Sequence, residues 1–371
     1  MFQMRTSERG TLKRCPQRWY WSTVDGLVPH RAANPLWFGA AVHDALAAWY
    51  LPGSERGPHP AETFDAVLKG DRSFLVTNEE EEKEYADARE LGVDMLEHYV
   101  EHYGKDESWH VIATEQTFQV WIPHPRDRSR KRWLRYVGTF DGVYRDVGTG
   151  EIFLMEHKTA AGGLDPGWLT LDDQAGSYWA VANSKLRSSG VLKKGENIAG
   201  IQYNFLRKAK RDTRPRDEKG LYHNKPQKRH YIEALAGVDD WSEDELTKKK
   251  IDELDSIAAA NMIEVLGDVS ERQPQAWFER WPVYRDQKER RTMVRRIQEE
   301  ATYAEAWRAE RFDEYPLYKT PVSIGPMACK TNCPFVRMCE LHEQGDSGWE
   351  EFRDTMFTRA DPYAAHDRKS A

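Results

Sequence analysis

The chain has 371 residues, room for one large domain with appendages or two ordinary ones, and its fourteen Trp and sixteen Tyr speak for a packed core. It lacks both a run of about 18 uncharged apolar residues and an N-terminal signal-type stretch, so neither a membrane span nor secretion is expected and the chain is read as cytoplasmic. Charged residues make up 31% with a formal net charge of -7, so a polyanionic partner has to be met by a local basic patch rather than by the mean surface field.

Along the chain, residues 36–50 (LWFGAAVHDALAAWY) place apolar side chains at helical spacing, with Gly39 read as a close-packing point near the helix start. Residues 79–103 open on a run of glutamates, which suits the positive end of a helix dipole, and predict a second helix. From Val111 the period becomes two. VIATEQTFQVWI, then WLRYVGTFDGVYRD after the basic turn RDRSRKR, then EIFLMEHKT predict three sequential strands. A helix over DDQAGSYWAVANSK and a strand at GIQYNFLRK follow. Residues 207–230 are so charged and so poor in apolar side chains that they read as an excursion or flexible loop. Beyond them come YIEALA, a helix near 242–264, a strand-like FERWPVYR, a helix near 287–309 and a loose tail.

Two of the expected strands meet through Val147–Gly150, where glycines flank a threonine in a good hairpin connection. A turn centred there sets Asp141 directly opposite Glu156, with Cβ atoms about 4.5–5.5 Å apart. Alternation puts Glu156 and Lys158 on one face and His157 on the other. Two carboxylates so placed repel unless one takes a proton or both share a hard, oxygen-seeking cation such as Mg²⁺. An acid-x-lysine alone is common on a solvated sheet face; here it follows the apolar IFLM and faces a second acid.

These residues resemble the PD-(D/E)XK nuclease superfamily, and within it the RecB-like, phage-type exonucleases that carry a four-cysteine iron–sulfur cluster. Asp141 matches the first acid of that signature, with Phe140 where its name has proline, and Glu156-His157-Lys158 matches the acid-x-lysine. Gly39-Ala40-Ala41-Val42-His43 upstream and Gln174-x-x-x-Tyr178 downstream fit in chain order. The resemblance implies an α/β fold, a restriction-endonuclease-like core whose mixed central sheet is flanked by helices. It implies an N-terminal helical region over 1–110, the nuclease core over 111–300, a C-terminal cysteine-ligated cap over 301–345 and a tail over 346–371. It further implies one or two Mg²⁺ or Mn²⁺ ions held by Asp141, Glu156, His43 and a backbone carbonyl near His157. Lys158 would position the attacking water or balance charge, and Gln174 and Tyr178 would orient the lysine or the DNA. Glu115 either adds an acid to the site or pairs with a neighbour.

Cys329, Cys333 and Cys339 form C-x3-C-x5-C, and Cys15 stands more than 300 residues away. Four thiolates suit an iron–sulfur cluster or tetrahedral zinc. One cysteine before the core and three after it resembles the cluster-bearing nucleases, which implies a structural [4Fe–4S] cluster, with zinc as the alternative. The implied activity is metal-dependent hydrolysis of DNA phosphodiester bonds, in exonuclease mode, for recombination, repair or end processing. Implied partners are single-stranded DNA or duplex ends, with a recombinase, annealing protein or helicase beside them, in the cytoplasm or, for a phage-encoded chain, the host's. The basic stretches 126–135 and 207–229, with Trp133 and Tyr222, are candidate contacts to the strand. The rival from another class is a non-catalytic DNA-end-binding or scaffold protein that keeps the fold.

Overall fold

A single strand, β4 (Leu134–Asp146), organises the sheet. The computed structural model describes residues 2–30, 34–162, 166–238, 241–317, 329 and 333–364. One edge of β4 is occupied along its length by antiparallel β3 (Trp109–Ile122). The other edge is shared. β1 (Phe2–Arg5) pairs in parallel with Leu134–Val137, and β5 (Ile152–Ala160) pairs antiparallel with Gly142–Arg145. Then β6 (Ile198–Arg207) runs parallel to β5, and β7 (Phe278–Tyr284) closes the far edge antiparallel to β6. Pro282 sits in β7, where the edge position tolerates its missing N–H. The sheet is therefore mixed, as expected.

The β4–β5 connection is the expected turn. Gly150 has φ +75°, and Asp146 Oδ1 accepts from the Thr149 N–H at 2.7 Å. The register that follows, Gly142↔Met155 through Arg145↔Ile152, is the one the turn position calls for, but the ladder stops there, so the expected direct pairing of Asp141 with Glu156 is not formed.

Helices cover both faces. On one side lie α1 (Thr6–Arg14), α6 (Asp173–Ser188) and α10 (Gln287–Arg308). α6 is the crossover between parallel β5 and β6; it buries Trp179, Val181 and Leu186, and its Asn183 Oδ1 accepts from the Ile198 N–H at 2.8 Å. Each such apolar side chain contributes about 1.5–3 kcal/mol by leaving water. Arg9, buried in α1, ties the three helices together through Glu300 and Asp173. On the opposite side α3 (Asn34–Trp49) and α5 (Glu79–Tyr103) pack with α4 (Pro60–Leu75), where Phe38 meets Phe64 edge-on at 5.4 Å. Gly92 in α5 has to be glycine, since a Cβ there would lie 2.2 Å from the Phe64 ring. Gly39 does not, because a Cβ would meet only Thr159 Oγ1 at 4.0 Å, so the close packing expected there is absent.

Residues 207–230, expected as an excursion or flexible loop, are an excursion: they open a unit, 209–277, that folds on its own with α7 (Lys228–Leu235), α8 (Glu243–Lys248) and α9 (Ile251–Ala260) around Tyr231, Leu235, Leu246 and Leu254. Two expectations are corrected. The single helix expected near 242–264 breaks at Lys249 and Lys250, which are extended. The described part of the expected tail is likewise folded: after α11 (Val336–Glu343) come α12 (Gly348–Met356) and β8 (Phe357–Arg359), which pairs with β2 (Leu27–Pro29), while 365–371 lie outside the described residues. Trp21, Leu27, Phe335, Met338 and Phe357 pack around that junction, so the chain ends are joined by strand pairing and apolar contact. Part of the expected cysteine cap, 318–328 and 330–332, lies outside the described residues.

Candidate active site

The site opens where β4 forks. β1 leaves the shared edge after Val137 and β5 joins it at Gly142, so residues 138–141 have no strand partner on that side. Asp141 is the last of them. Its carboxylate takes the place of a ladder acceptor: Oδ2 accepts the His157 N–H at 2.7 Å. Gly138 begins the gap, and it is glycine because Phe118 and Thr6 Oγ1 approach within 2.8 Å of where a Cβ would stand.

The other Asp141 oxygen faces α3, where His43 Nδ1 lies 3.3 Å from Oδ1. Glu115 approaches from β3. It adopts φ +45°, a left-handed backbone costing a non-glycine residue about 1–3 kcal/mol, at the point of β3 opposite Asp141. His43, Glu115 and Asp141 bring one ligand atom each within 4.8 Å of one another. Burial works against a charge on His43, but Asp141, with Glu156 and Glu115 behind it, pushes it up to about 9. Burial pushes Asp141 up in turn, yet His43 and His157 hold it below the usual carboxylate range. The pocket thus demands a positive charge, and an imidazole with two carboxylates is a donor set that Mg²⁺ or, better, Mn²⁺ accepts.

Glu156 falls outside that group. Its Oε1 accepts from Lys158 Nζ at 2.6 Å, and Lys158 also lies 3.8 Å from Asp172. Burial pushes Glu156 up to about 7 against the pull of Lys158, with Asp141 adding to the rise. For Lys158 burial is outweighed by Glu156 and Asp172, so the ammonium is held charged. Asp172 is a site residue the sequence reading passed over. It caps α6, accepting from the N–H groups of Gln174 and Ala175, and takes the Tyr203 hydroxyl at 3.2 Å. An Asp ahead of a helical pattern was the available signal.

His157 turns its ring to the α3–α5 side, into a buried polar network. Arg280 Nε donates to Asn204 Oδ1 at 3.2 Å, which fixes the amide so that Nδ2 donates to Tyr99 Oη and to His157 Nδ1, both at 2.9 Å. The ring is therefore neutral with its hydrogen on Nε2, and burial drives its pKa down to about 3. Arg280 also reaches Asp106 (2.6 and 2.9 Å), Tyr50 and Tyr99. None of Tyr50, Tyr99, Asp106, Asn204 and Arg280 was singled out from sequence.

Gln174 Nε2 donates to Tyr178 Oη at 3.2 Å, and Tyr178 stands edge-on to Phe118 and Phe140. Burial, then the charges of Glu156 and Asp141, raise the Tyr178 hydroxyl. Among the described residues neither side chain bonds Lys158. Two aromatic contacts expected for a strand are corrected: Trp133 is 3% and Tyr222 5% exposed, too buried to stack with a base. Cys15, Cys329, Cys333 and Cys339 are partly buried and form no disulfide among the described residues. Burial raises the Cys333 thiol, the Phe335 N–H and Arg18 lower it, and both Cys15 and Cys329 are close enough to act on it.

A mixed α/β sheet forked at a half-buried acid, with an imidazole and a second acid in reach and a paired lysine near by, offers a donor set that could hold a metal ion. A family model of the PD-(D/E)XK nuclease superfamily matches residues 6–340, and the chain belongs to that superfamily. Its members are nucleases that use divalent metals such as Mg²⁺ and Mn²⁺. No curated protein matches the chain. Among the described residues no helix is long and apolar enough to cross a membrane.

Proposed function

We propose that the protein is a metal-dependent deoxyribonuclease that hydrolyses phosphodiester bonds from DNA ends. The observation that carries this is the fork itself: His43, Glu115 and Asp141 converge to within 4.8 Å, while Lys158, beside them, is held charged against Glu156. His43, Glu115 and Asp141, with Glu156 and the His157 backbone behind them, would hold Mg²⁺ or Mn²⁺. When bound, the cation supplies activation of water and charge relief at the phosphate. Lys158, near enough for Asp141 to act on it, would orient the attacking water and offset the negative charge that grows on the phosphoryl oxygens. Water forms the new P–O bond as the P–O bond to the departing sugar oxygen breaks, and that oxygen takes up a proton. Tyr178, kept protonated by burial, and Gln174 border the site as hydrogen-bonding groups for the strand.

The exonuclease mode, and a place in recombination or repair beside an annealing protein, recombinase or helicase, rest on the resemblance. So does the [4Fe–4S] cluster, which would bind Cys15, Cys329, Cys333 and Cys339. The nearness of Cys15 and Cys329 to Cys333, and the N–H of Phe335 directed at the Cys333 sulfur, support it.

The test uses end-labelled linear, closed circular and single-stranded DNA with Mg²⁺, Mn²⁺ or EDTA. Wild type degrades linear DNA with either metal and spares closed circles. Asp141→Asn and Lys158→Met lose at least 10²–10³-fold, the scale for a preorganised charge aimed at a transition state. No cleavage by wild type with either metal, or wild-type cleavage by both variants, refutes the reading.

A further inference from the structure

We propose that the outer face of the edge strand β3 is a lane for single-stranded DNA, along which Trp121 forms a stacking platform for a base away from the cleavage site. The proposal rests on the nuclease reading above and assigns it a strand path. Along β4, Tyr136 and Phe140 point into the core under α6, so Thr139 and Asp141 share the opposite face. Across the ladder, Thr117 is opposite Thr139, with their hydroxyl oxygens 3.3 Å apart, and Trp121 is opposite Arg135. Glu115, Thr117, Gln119 and Trp121 thus lie in one row that begins at the metal group, while Phe118 and Ile122 turn inward.

The row has the composition of a strand path. Thr117 and Gln119 are polar and half-exposed, and the Gln119 amide oxygen accepts from Arg135 at 3.2 Å. Val137, their neighbour on β4, is fully buried, so the open lane follows β3. At its far end Trp121 is 39% exposed, an indole on a polar row with the Arg135 guanidinium opposite. Beyond it the connection to β4 carries Arg126, Arg128, Lys131 and Arg132, all exposed, where a backbone leaving the indole would find its counter-charge. An indole stacks with any base that is out of a duplex, which selects single-stranded DNA. Six residues of strand put Trp121 about 20 Å from Glu115. A strand stacked at about 3.4 Å per nucleotide covers that in about six nucleotides.

Binding is measured by fluorescence anisotropy in EDTA, with labelled oligo-dT of about 20 nucleotides and of about four, the longer alone able to reach both ends of the lane. Trp121→Ala weakens the longer probe by about 5- to 150-fold, the range for one stacked base; Trp121→Phe restores most of it, and the shorter probe is little affected. Phe74→Ala, removing an aromatic 84% exposed on α4, leaves both affinities unchanged. Wild-type affinity of Trp121→Ala for the longer probe, or equal losses on both probes, overturns the lane. Cleavage by wild type with an unchanged Trp121→Ala affinity removes the lane and keeps the nuclease. A Trp121-dependent affinity without cleavage does the reverse.

Discussion

Replacing Arg280 by Met should reveal how much of the fold the network behind His157 supports. The Arg280 side chain is 16% exposed and its partner Asp106 only 4%. Methionine keeps the aliphatic stem against Tyr103 and Trp109, whose rings lie 3.6 and 3.7 Å from the guanidinium carbon, but removes every donor. Asp106 then keeps the Tyr50 hydroxyl at 2.9 Å and Ser108 at 3.2 Å, and its charge is left buried without a counter-ion. Removing one partner of a buried pair costs about 3–5 kcal/mol, a large share of the roughly 5–15 kcal/mol available. At about 2 °C per kcal/mol for a chain of this size, Tm should fall by about 6–10 °C. The double variant Arg280→Met with Asp106→Asn removes the stranded charge, so it should recover about 1–3 kcal/mol relative to additivity. Denaturant melts of the four proteins close the cycle. A cost under about 1 kcal/mol for Arg280→Met, or a coupling near zero, would show that Asp106 and Arg280 are solvated independently and that the network is not a unit.

Three other outcomes follow from the geometry. Glu115→Gln and His43→Ala should each lower Mn²⁺ affinity by about tenfold or more by calorimetry, the scale on which metal sites respond to their supporting groups; unchanged affinity in Glu115→Gln means that its strained backbone serves something other than the ion. Residues 209–277 should be replaceable by a short Gly/Asn turn, because Leu206 and Phe278 are already paired across β6 and β7. The shortened protein should melt cooperatively with its sheet intact, and aggregation or loss of the transition would count against a separate unit. Cys15→Ser purified anaerobically should lose most of the iron that wild type carries, yet keep its far-ultraviolet spectrum, because β2 and β8 hold the chain ends; iron-free wild type, or one zinc per chain, would remove the cluster.

Local signals carried the reading where they coincided. The β4–β5 register was legible because a Gly-Thr-Gly turn and two alternating strands agreed, and the helix at 79–103 because its acidic start and apolar spacing agreed. The insertion was legible only in pieces: YIEALA and a helix near 242–264 stood out, but Tyr231, Leu235, Leu246 and Leu254 are spread thinly among charges, and only tertiary packing shows that they make a core. Trp133 and Tyr222 misled for a related reason: a basic neighbourhood says nothing about burial, and Arg130 lies over one ring while Arg214 and Arg216 flank the other. β1 was invisible because four residues carry no period, yet without it β4 would have no fork.

The fork explains why the site's residues come in two groups with different jobs. On β5, successive side chains face opposite sides, so Glu156 and Lys158 look toward the α6 N-terminus while His157 is gripped from the α5 side through Asn204. The peptide N–H between these groups is committed to Asp141, and that bond carries the β4–β5 contact beyond the ladder to the acid of the candidate metal group. A change that moves β5, whether at Asn204 beneath it or at Asp172 beside it, therefore shifts Asp141 against His43 without touching either. Effects on metal affinity and on Lys158 should consequently appear together in Asn204 variants, whereas a lysine acting independently of the acids would show only the second.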